Sequence, residues 1–300
     1  MKRMMLLVNP NAGRGGCRPV LGSVLEAFCL DGWLPTVFFT RSAGEAPGLV
    51  ERCAGEYDMV VCLGGDGTLS EVAAGMIRLR DASGVQRPIG YIPLGTTNDV
   101  ARTLGLSGRP AAAAENILKG TPFSYDVGQF GDGEFFTYIA AFGAFTEVSY
   151  ETPQEAKHVL GHLAYMLEAL RQLGRITDYH ARVEYDGGSF TEGNFIFGAV
   201  INSTSVAGLV RLDDGPEGLS DGVFQVLLVK KPKDILELSD IVSSILSADF
   251  SGPNVSLLKS SEVRFCFDEP VAWTRDGEDG GCHRDVLIRN RHPGVEIMVY

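Results

Sequence analysis

Short apolar runs alternate with helically spaced apolar residues along the first 120 or so positions. Residues 4–8, MMLLV, read as a strand buried on both faces that stops at Asn9-Pro10. Pro19 suits a first helical turn, and Val20, Val24, Leu25 and Phe28 then recur at helical spacing. The same reading predicts strands at 34–40, 58–63 and 89–93, and helices at 45–54, 69–79, 99–104 and 111–119. Strand followed by helix, repeated, predicts a mostly parallel sheet covered by helices. The pattern changes at Pro122. Strand-like segments at 123–130, 135–142, 180–185, 190–200, 223–229 and 263–267 are separated by Gly and Asp turns. One clear helix, 155–173, and a weaker one, 235–246, interrupt them. Short strands at such spacing predict an antiparallel sandwich. The last apolar segment, 295–300, is unassigned by pattern.

The chain's 300 residues suit two domains, here 1–122 and 123–292, and 45% hydrophobic residues suffice for two cores. Acidic residues outnumber basic ones 38 to 26, for a net charge of -12, which argues against a nucleic-acid partner. Lys230, Lys231 and Lys233 form the one tight lysine cluster and read as a solvated loop after a strand. The six cysteines are scattered, without zinc spacing or a disulfide framework, which fits a reducing cytoplasm; Cys62 and Cys266 read as small core residues. No apolar run approaches the roughly 18 residues of a membrane span, and residues 4–8 are too short for a signal peptide.

The strongest chemical signal is Gly64-Gly65-Asp66-Gly67-Thr68, directly after a strand and directly before a helix. Such glycines let backbone N–H groups approach a bound group, and a helix start adds unpaired donors and a dipole that favours anions. A carboxylate at Asp66 beside phosphates implies a cation between them, as Mg²⁺ provides in phosphoryl transfer. Taken alone, this turn reads equally as a tight strand-to-helix connection with Asp66 as a cap. Two more polar turns shift the balance: 9–13 (NPNAG) after the first strand and 93–99 (PLGTTND) after the fourth. Loops at the carboxyl ends of neighbouring parallel strands converge on one crevice. No Gly-Lys pair exists, so there is no Walker-type loop, and Ser70 breaks the dinucleotide fingerprint. His283-Arg284-Asp285 with Asn290 matches protein-kinase catalytic-loop spacing, but too little chain follows for the remaining kinase elements, so the match reads as coincidence. His158 and His162, one helical turn apart, read as helix-surface residues.

Those three turns, in that order, resemble the lipid-kinase family of bacterial diacylglycerol kinases and sphingosine kinases; Gly-Gly-Asp-Gly-Thr is also shared with NAD kinases. Ser220-Asp221-Gly222-Val223-Phe224 resembles the family's Asp-Gly turn, and Asp276-Gly277-Glu278 its catalytic turn. The resemblance implies a Rossmann-like three-layer α/β nucleotide domain, a C-terminal β-sandwich for the lipid, and a last strand at 293–300 that returns to the first domain. By position it implies nucleotide contacts at Asn9, Pro10, Asn11, Ala12, Gly13, Thr40, Gly64, Gly65, Asp66, Gly67, Thr68, Leu69, Ser70, Glu71 and Thr96. It implies a catalytic base at Glu278, with Asp276 beside it, and a structural Mg²⁺ held by the Asp221 side chain and the carbonyls of Gly218 and Val223. Ser70 stands where asparagine is common and Val100 where phenylalanine is, both mild departures.

The expected reaction is transfer of the γ-phosphate of ATP, with Mg²⁺, to a lipid hydroxyl, diacylglycerol-like. Two carboxylates one residue apart can raise one pKa, which suits a base. The partners expected are ATP and a lipid met at the inner face of the membrane by a cytoplasmic protein, with oligomeric state open and a homodimer among the options. A soluble-acceptor kinase of the NAD kinase type and a non-catalytic nucleotide-binding regulator are the competing readings.

Overall fold

The computed structural model describes residues 2–13, 16–144, 177–203, 205–206, 210–211 and 216–300. They divide between two units, one of residues 1–138, 214–222 and 290–300, the other of 139–213 and 223–289. The helix expected at 155–173, with His158 and His162, lies outside the described residues.

The first unit runs β1 (Lys2–Val8), α1 (Arg18–Leu30), β2 (Trp33–Phe39), α2 (Ala46–Cys53), β3 (Met59–Gly64), α3 (Asp66–Ser83), β4 (Ile89–Pro93), α4 (Asp99–Thr103), α5 (Pro110–Lys119), β5 (Thr121–Phe130) and β6 (Glu134–Phe136). Proline opens α1, α2 and α5, where its missing N–H costs nothing. Gly84, in the left-handed region at φ 73°, ends α3. The strands β4, β3, β1 and β2 pair in that order, all parallel. Met4, Leu6 and Val8 of β1, with Met59, Val61 and Leu63 of β3, pack against Val24 and Phe28 of α1 and Ala113, Ala114 and Ile117 of α5. Strand alternation turns Met5, Leu7, Val60 and Cys62, all buried, to the opposite face. On that side α2 and α3 touch closely: a Cβ on Gly75 would lie 2.7 Å from the Pro47 carbonyl oxygen. Helices on both faces of a parallel sheet make three layers.

The second unit carries β7 (Ile139–Gly143), β8 (Tyr179–Tyr185), β9 (Ser189–Ile201), the short β10 (Ser205–Val206) and β11 (Val210–Arg211), β12 (Phe224–Lys230), α6 (Ile235–Ser247), β13 (Val255–Ser260) and β14 (Glu262–Arg275). The last strand, β15 (Glu278–Val299), begins in this unit and ends in the first, where Ile297 pairs with Ile89 of β4 in parallel. Pairing within the second unit is antiparallel throughout the described residues: β13 with β12, β12 with β9, β9 with β7 and β8, and β14 with β7, β8 and β15. An α/β unit and an antiparallel β unit are thus the two parts, as the change from alternating strands and helices to short strands predicts. Residues 123–138, placed by the sequence reading in the second domain, group with the first unit, because β5 pairs with β6 and with β15.

Two apolar cores hold the second unit. Phe142, Phe265, Phe267 and Trp273 form an aromatic cluster with ring centroids 4.9 Å apart at the closest. Ile196, Ile201, Leu227, Val229 and Val255 pack with Ile241 of α6. Alternate residues of β8, β14 and β15 face outward as exposed ion pairs, Arg264 with Asp285 and Arg289 with Glu262, each worth little on its own. Cys62 is buried as expected, whereas Cys266 is only partly so.

Candidate functional site

Three turns leave the carboxyl ends of β1, β3 and β4, and glycines bring them together. The first and second are tied by Asn9, whose Nδ2 donates to Thr68 Oγ1 at 3.1 Å and whose N–H donates to the Leu63 carbonyl at 3.0 Å. Gly13, at φ 74°, packs so tightly on the Leu94 carbonyl that any Cβ there would collide with it, joining the first turn to the third. The second and third meet backbone to backbone: a Cβ on Gly95 would sit 2.9 Å from Gly65 Cα. Asn9 and Gly64 on Thr68, Gly65 on Gly95 and Gly13 on Leu94 thus draw the three turns to one place. That place is the start of α3, whose cap residue Gly65 is extended and supplies no side-chain acceptor. The amides of the first turn of this 18-residue helix lack a side-chain cap, which leaves a donor set and the positive end of a dipole for an anion.

Asp66 is engaged differently from a cap on its own helix. Its Oδ2 accepts the Asp99 N–H at 2.9 Å and its Oδ1 the Val100 N–H at 3.2 Å, so it caps α4. Thr97 Oγ1 and the Tyr91 hydroxyl stand at 3.5 and 3.4 Å from the same carboxylate. Burial first, then the Asp66 charge, pushes the Tyr91 phenol far up, so it stays protonated as a donor. Asn98 reaches the turn in the left-handed region, φ 49°, and returns its Nδ2 to the Gly95 carbonyl at 2.8 Å. Thr96 is exposed on this turn. Burial also raises the Cys62 thiol strongly, followed by the Glu71 and Asp66 charges, which leaves it inert.

Glu71, one turn along α3, faces the connection after β2. Its two oxygens accept the Gly44 N–H at 2.7 Å and the Ala46 N–H at 3.2 Å. It thus braces the loop that carries Thr40, which is buried and whose N–H donates to the Val8 carbonyl at 3.0 Å. Within that loop Glu45 grips Arg41, which holds its carboxyl below the usual range. Leu69 and Ser70 are buried and pack α3 rather than presenting side chains outward.

Sequence reasoning missed Asp126. This carboxylate on β5 is fully buried at 0% exposure, yet accepts the Gly222 N–H at 2.8 Å, Asn290 Nδ2 at 3.2 Å and His292 Nδ1 at 2.7 Å. A lone Asp between Tyr125 and Val127 in an apolar strand was the available signal. It fixes the turn at Gly222, φ 80°, next to Asp221. Gly218 lies in the 3₁₀ turn Pro216–Leu219 just before, and Val223 follows in the chain. Among the described residues no group of three or more His, Cys, Asp or Glu side chains could hold a metal. Asp126→Ala leaves these donors unpaired, and is expected to destabilise the protein by about 1–3 kcal/mol. A thermal melt reads this as a drop of several degrees; an unchanged melting temperature contradicts it.

In the second unit Asp276 and Gly277 form the two-residue hairpin turn between β14 and β15, with φ of 48° and 84°. Both positive values suit the turn that matches strand twist. Asp276 is locked to β7: its N–H donates to the Ile139 carbonyl at 2.8 Å and its Oδ1 accepts the Ile139 N–H at 3.0 Å. Glu278 is exposed at the first position of β15. Gly280, where a Cβ would lie 2.9 Å from the Trp273 carbonyl oxygen, and Gly281, at φ 77°, accommodate a register shift just beyond. The buried Trp273 cluster thereby anchors the hairpin that presents Glu278.

The fold is shared with solved structures. A diacylglycerol kinase from Bacillus anthracis superposes with a TM-score of 0.75 at 20% identity, covering 100% of this chain and 97% of that one. An NAD kinase from Archaeoglobus fulgidus in complex with ATP superposes at 0.51 with 10% identity, covering 99% and 93%. At those identities the likeness speaks for the fold alone. Sequence goes further: the family model described as the diacylglycerol kinase catalytic domain matches residues 3–130. A diacylglycerol kinase of Staphylococcus carnosus (strain TM300) is 32% identical over 283 residues, covering 93% of this chain and 90% of the relative. One of Bacillus subtilis (strain 168) is 32% identical over 286 residues, covering 94% and 91%. Agreement at that level across both units, and not only over the glycine-rich turns, means that the chain belongs to the diacylglycerol kinase family.

Proposed function

We propose that this protein transfers the γ-phosphate of ATP, with Mg²⁺, to the hydroxyl of a diacylglycerol-like lipid. The observation that carries the reading is the uncapped start of α3, ringed by the turns at 9–13, 64–68 and 94–98. Phosphoryl transfer asks for positioning and charge neutralisation above all. The amides of Gly65, Gly67 and Thr68 hold the phosphates, Asn9 to Gly13 and Thr96 close around them, and the Thr40 loop flanks the nucleoside. Glu278 accepts the proton as the lipid oxygen bonds to the γ-phosphorus, the bond to the bridging oxygen breaks, and ADP leaves. Asp276 positions Glu278 through its hold on Ile139.

Mg²⁺, when bound, supplies neutralisation of phosphate charge. Asp66 would face such an ion directly or through water in place of its two long contacts, Tyr91 at 3.4 Å and Thr97 at 3.5 Å, while keeping the Asp99 and Val100 amides. For a second, structural ion the Asp221 carboxylate and the carbonyls of Gly218 and Val223 are all hard oxygen donors. Asn290 Oδ1, buried without a hydrogen-bond partner beside Asp126, adds to the fit. The enzyme works from the cytoplasm at the inner membrane face; among the described residues no helix is long and apolar enough to cross a membrane.

The test is transfer of labelled γ-phosphate from ATP across a panel of lipids in mixed micelles, with NAD as control acceptor. Label on a diacylglycerol is expected; label on NAD alone contradicts the reading. Glu71→Ala releases the loop bearing Thr40 without touching the base. Steady-state kinetics should show the KM for ATP up about tenfold and kcat within about threefold. An unchanged KM removes Glu71 from this role.

A further inference from the structure

The chain has seven lysines, and three of them, Lys230, Lys231 and Lys233, fall within four positions of a protein whose net charge is -12. The structure places this cluster where β12 ends and the chain turns into α6. Immediately after it, Ile235 and Leu236 are 63% and 74% exposed in the first turn of the helix. Packing does not account for them, since Leu238, Ile241 and Ile245 already supply the face of α6 that meets the sheet. Two of the nearby acids are spent on the helix start: Asp234 accepts the Glu237 N–H at 2.9 Å, and Glu237 accepts the Lys233 N–H at 2.8 Å. Lys233 also pairs with Glu237 at 3.6 Å, and Lys231 with Asp178 at 2.5 Å. Exposed pairs of this kind are worth little, so an ammonium group can exchange its carboxylate for a lipid phosphate at small cost.

We infer that this corner between β12 and α6 docks the protein on an anionic bilayer, with Ile235 and Leu236 inserted below the headgroups and Lys230, Lys231 and Lys233 on their phosphates. The inference rests on the lipid-kinase reading, because an enzyme that meets a lipid in the membrane needs an apolar, basic contact to stay there. Adjacent exposed aliphatics flanked by lysines have the composition of an interfacial helix start. The lysines set the lipid charge, since positive side chains complement anionic headgroups and repel none of them.

Co-sedimentation of the full chain with vesicles, without ATP or acceptor, tests the idea. The vesicles are phosphatidylcholine with or without phosphatidylglycerol. The double variant Ile235→Ser, Leu236→Ser should lower partitioning at least about tenfold. Lys230→Gln, Lys233→Gln should weaken binding to the phosphatidylglycerol vesicles alone, as added salt should. Both variants should phosphorylate a short-chain, water-soluble diacylglycerol within about twofold of the unaltered protein. Partitioning of the serine variant within about twofold of the unaltered protein overturns the inference. So does a loss of binding that tracks a change of oligomeric state on gel filtration, which would assign the corner to a second copy. If vesicles are bound as expected but no lipid is phosphorylated, the kinase reading fails and the docking surface stands.

Discussion

Glutamine at position 278 is expected to cut turnover by about 10²- to 10⁴-fold while the melting temperature stays where it is. Glu278 is exposed at the start of β15, so exchanging its charge for an amide disturbs no packing. The hairpin it stands on is held by other groups, chiefly Asp276 on Ile139 and the aromatic cluster under Trp273. A loss confined to kcat, at unchanged KM for ATP, is the signature of a proton acceptor that acts in the transition state. Asp276→Asn should also show in the melt, because the Asp276 carboxylate accepts the Ile139 N–H at 3.0 Å. Turnover of the Glu278→Gln variant within a few-fold of the unaltered protein ends the assignment.

Alanine at position 66 is expected to cost at least about 10²-fold in kcat/KM for ATP. The stability cost should be modest, because loss of a helix cap is worth about 1 kcal/mol. The asymmetry between those magnitudes follows from geometry. Removing the carboxylate frees the amides of Asp99 and Val100 and unties the third turn from the second. A shift of about 1 Å in that turn is small for the fold and large for a phosphate site. Thermal melts and initial rates on the same preparation separate the two, and a variant that melts normally and retains full activity contradicts the role.

The first unit was legible because three of its parallel strands, β1, β3 and β4, are buried on both faces. Met4 to Val8 and Met59 to Leu63 are apolar without interruption, and Pro19, Pro47 and Pro110 mark where helices start. The turns were legible because the close approaches at Gly13, Gly65 and Gly95 leave no room for a side chain. The second unit was harder. Much of β14 and β15 carries charges on one face, Glu262, Arg264, Asp285 and Arg289, against Val263, Phe265, Val286 and Ile288 on the other, so beyond 263–267 the long hairpin reads as a polar stretch. The kinase-like run His283-Arg284-Asp285 belongs to this strand, where Arg264 pairs with Asp285 and holds its carboxyl low. β13 was not anticipated, because Val255 to Ser260 is too short and too mixed to stand out.

Side-chain direction was the other blind spot. Sequence places Asp66 and Glu71 at the nucleotide turn but does not say that each spends its oxygens on backbone amides of a neighbouring loop. Nor does it say that Asp126 organises Gly222, Asn290 and His292, since those partners are 96 to 166 residues away along the chain. Long-range hydrogen bonds of this kind leave no periodic trace.

Crystals grown with Mg²⁺ and a non-hydrolysable ATP analogue bear most directly on the central claim. The account predicts phosphate oxygens within hydrogen-bonding distance of the Gly67 and Thr68 amides at the start of α3, with a metal ion on the Asp66 side. Triphosphate density anywhere else, with that helix start in contact with solvent alone, contradicts it.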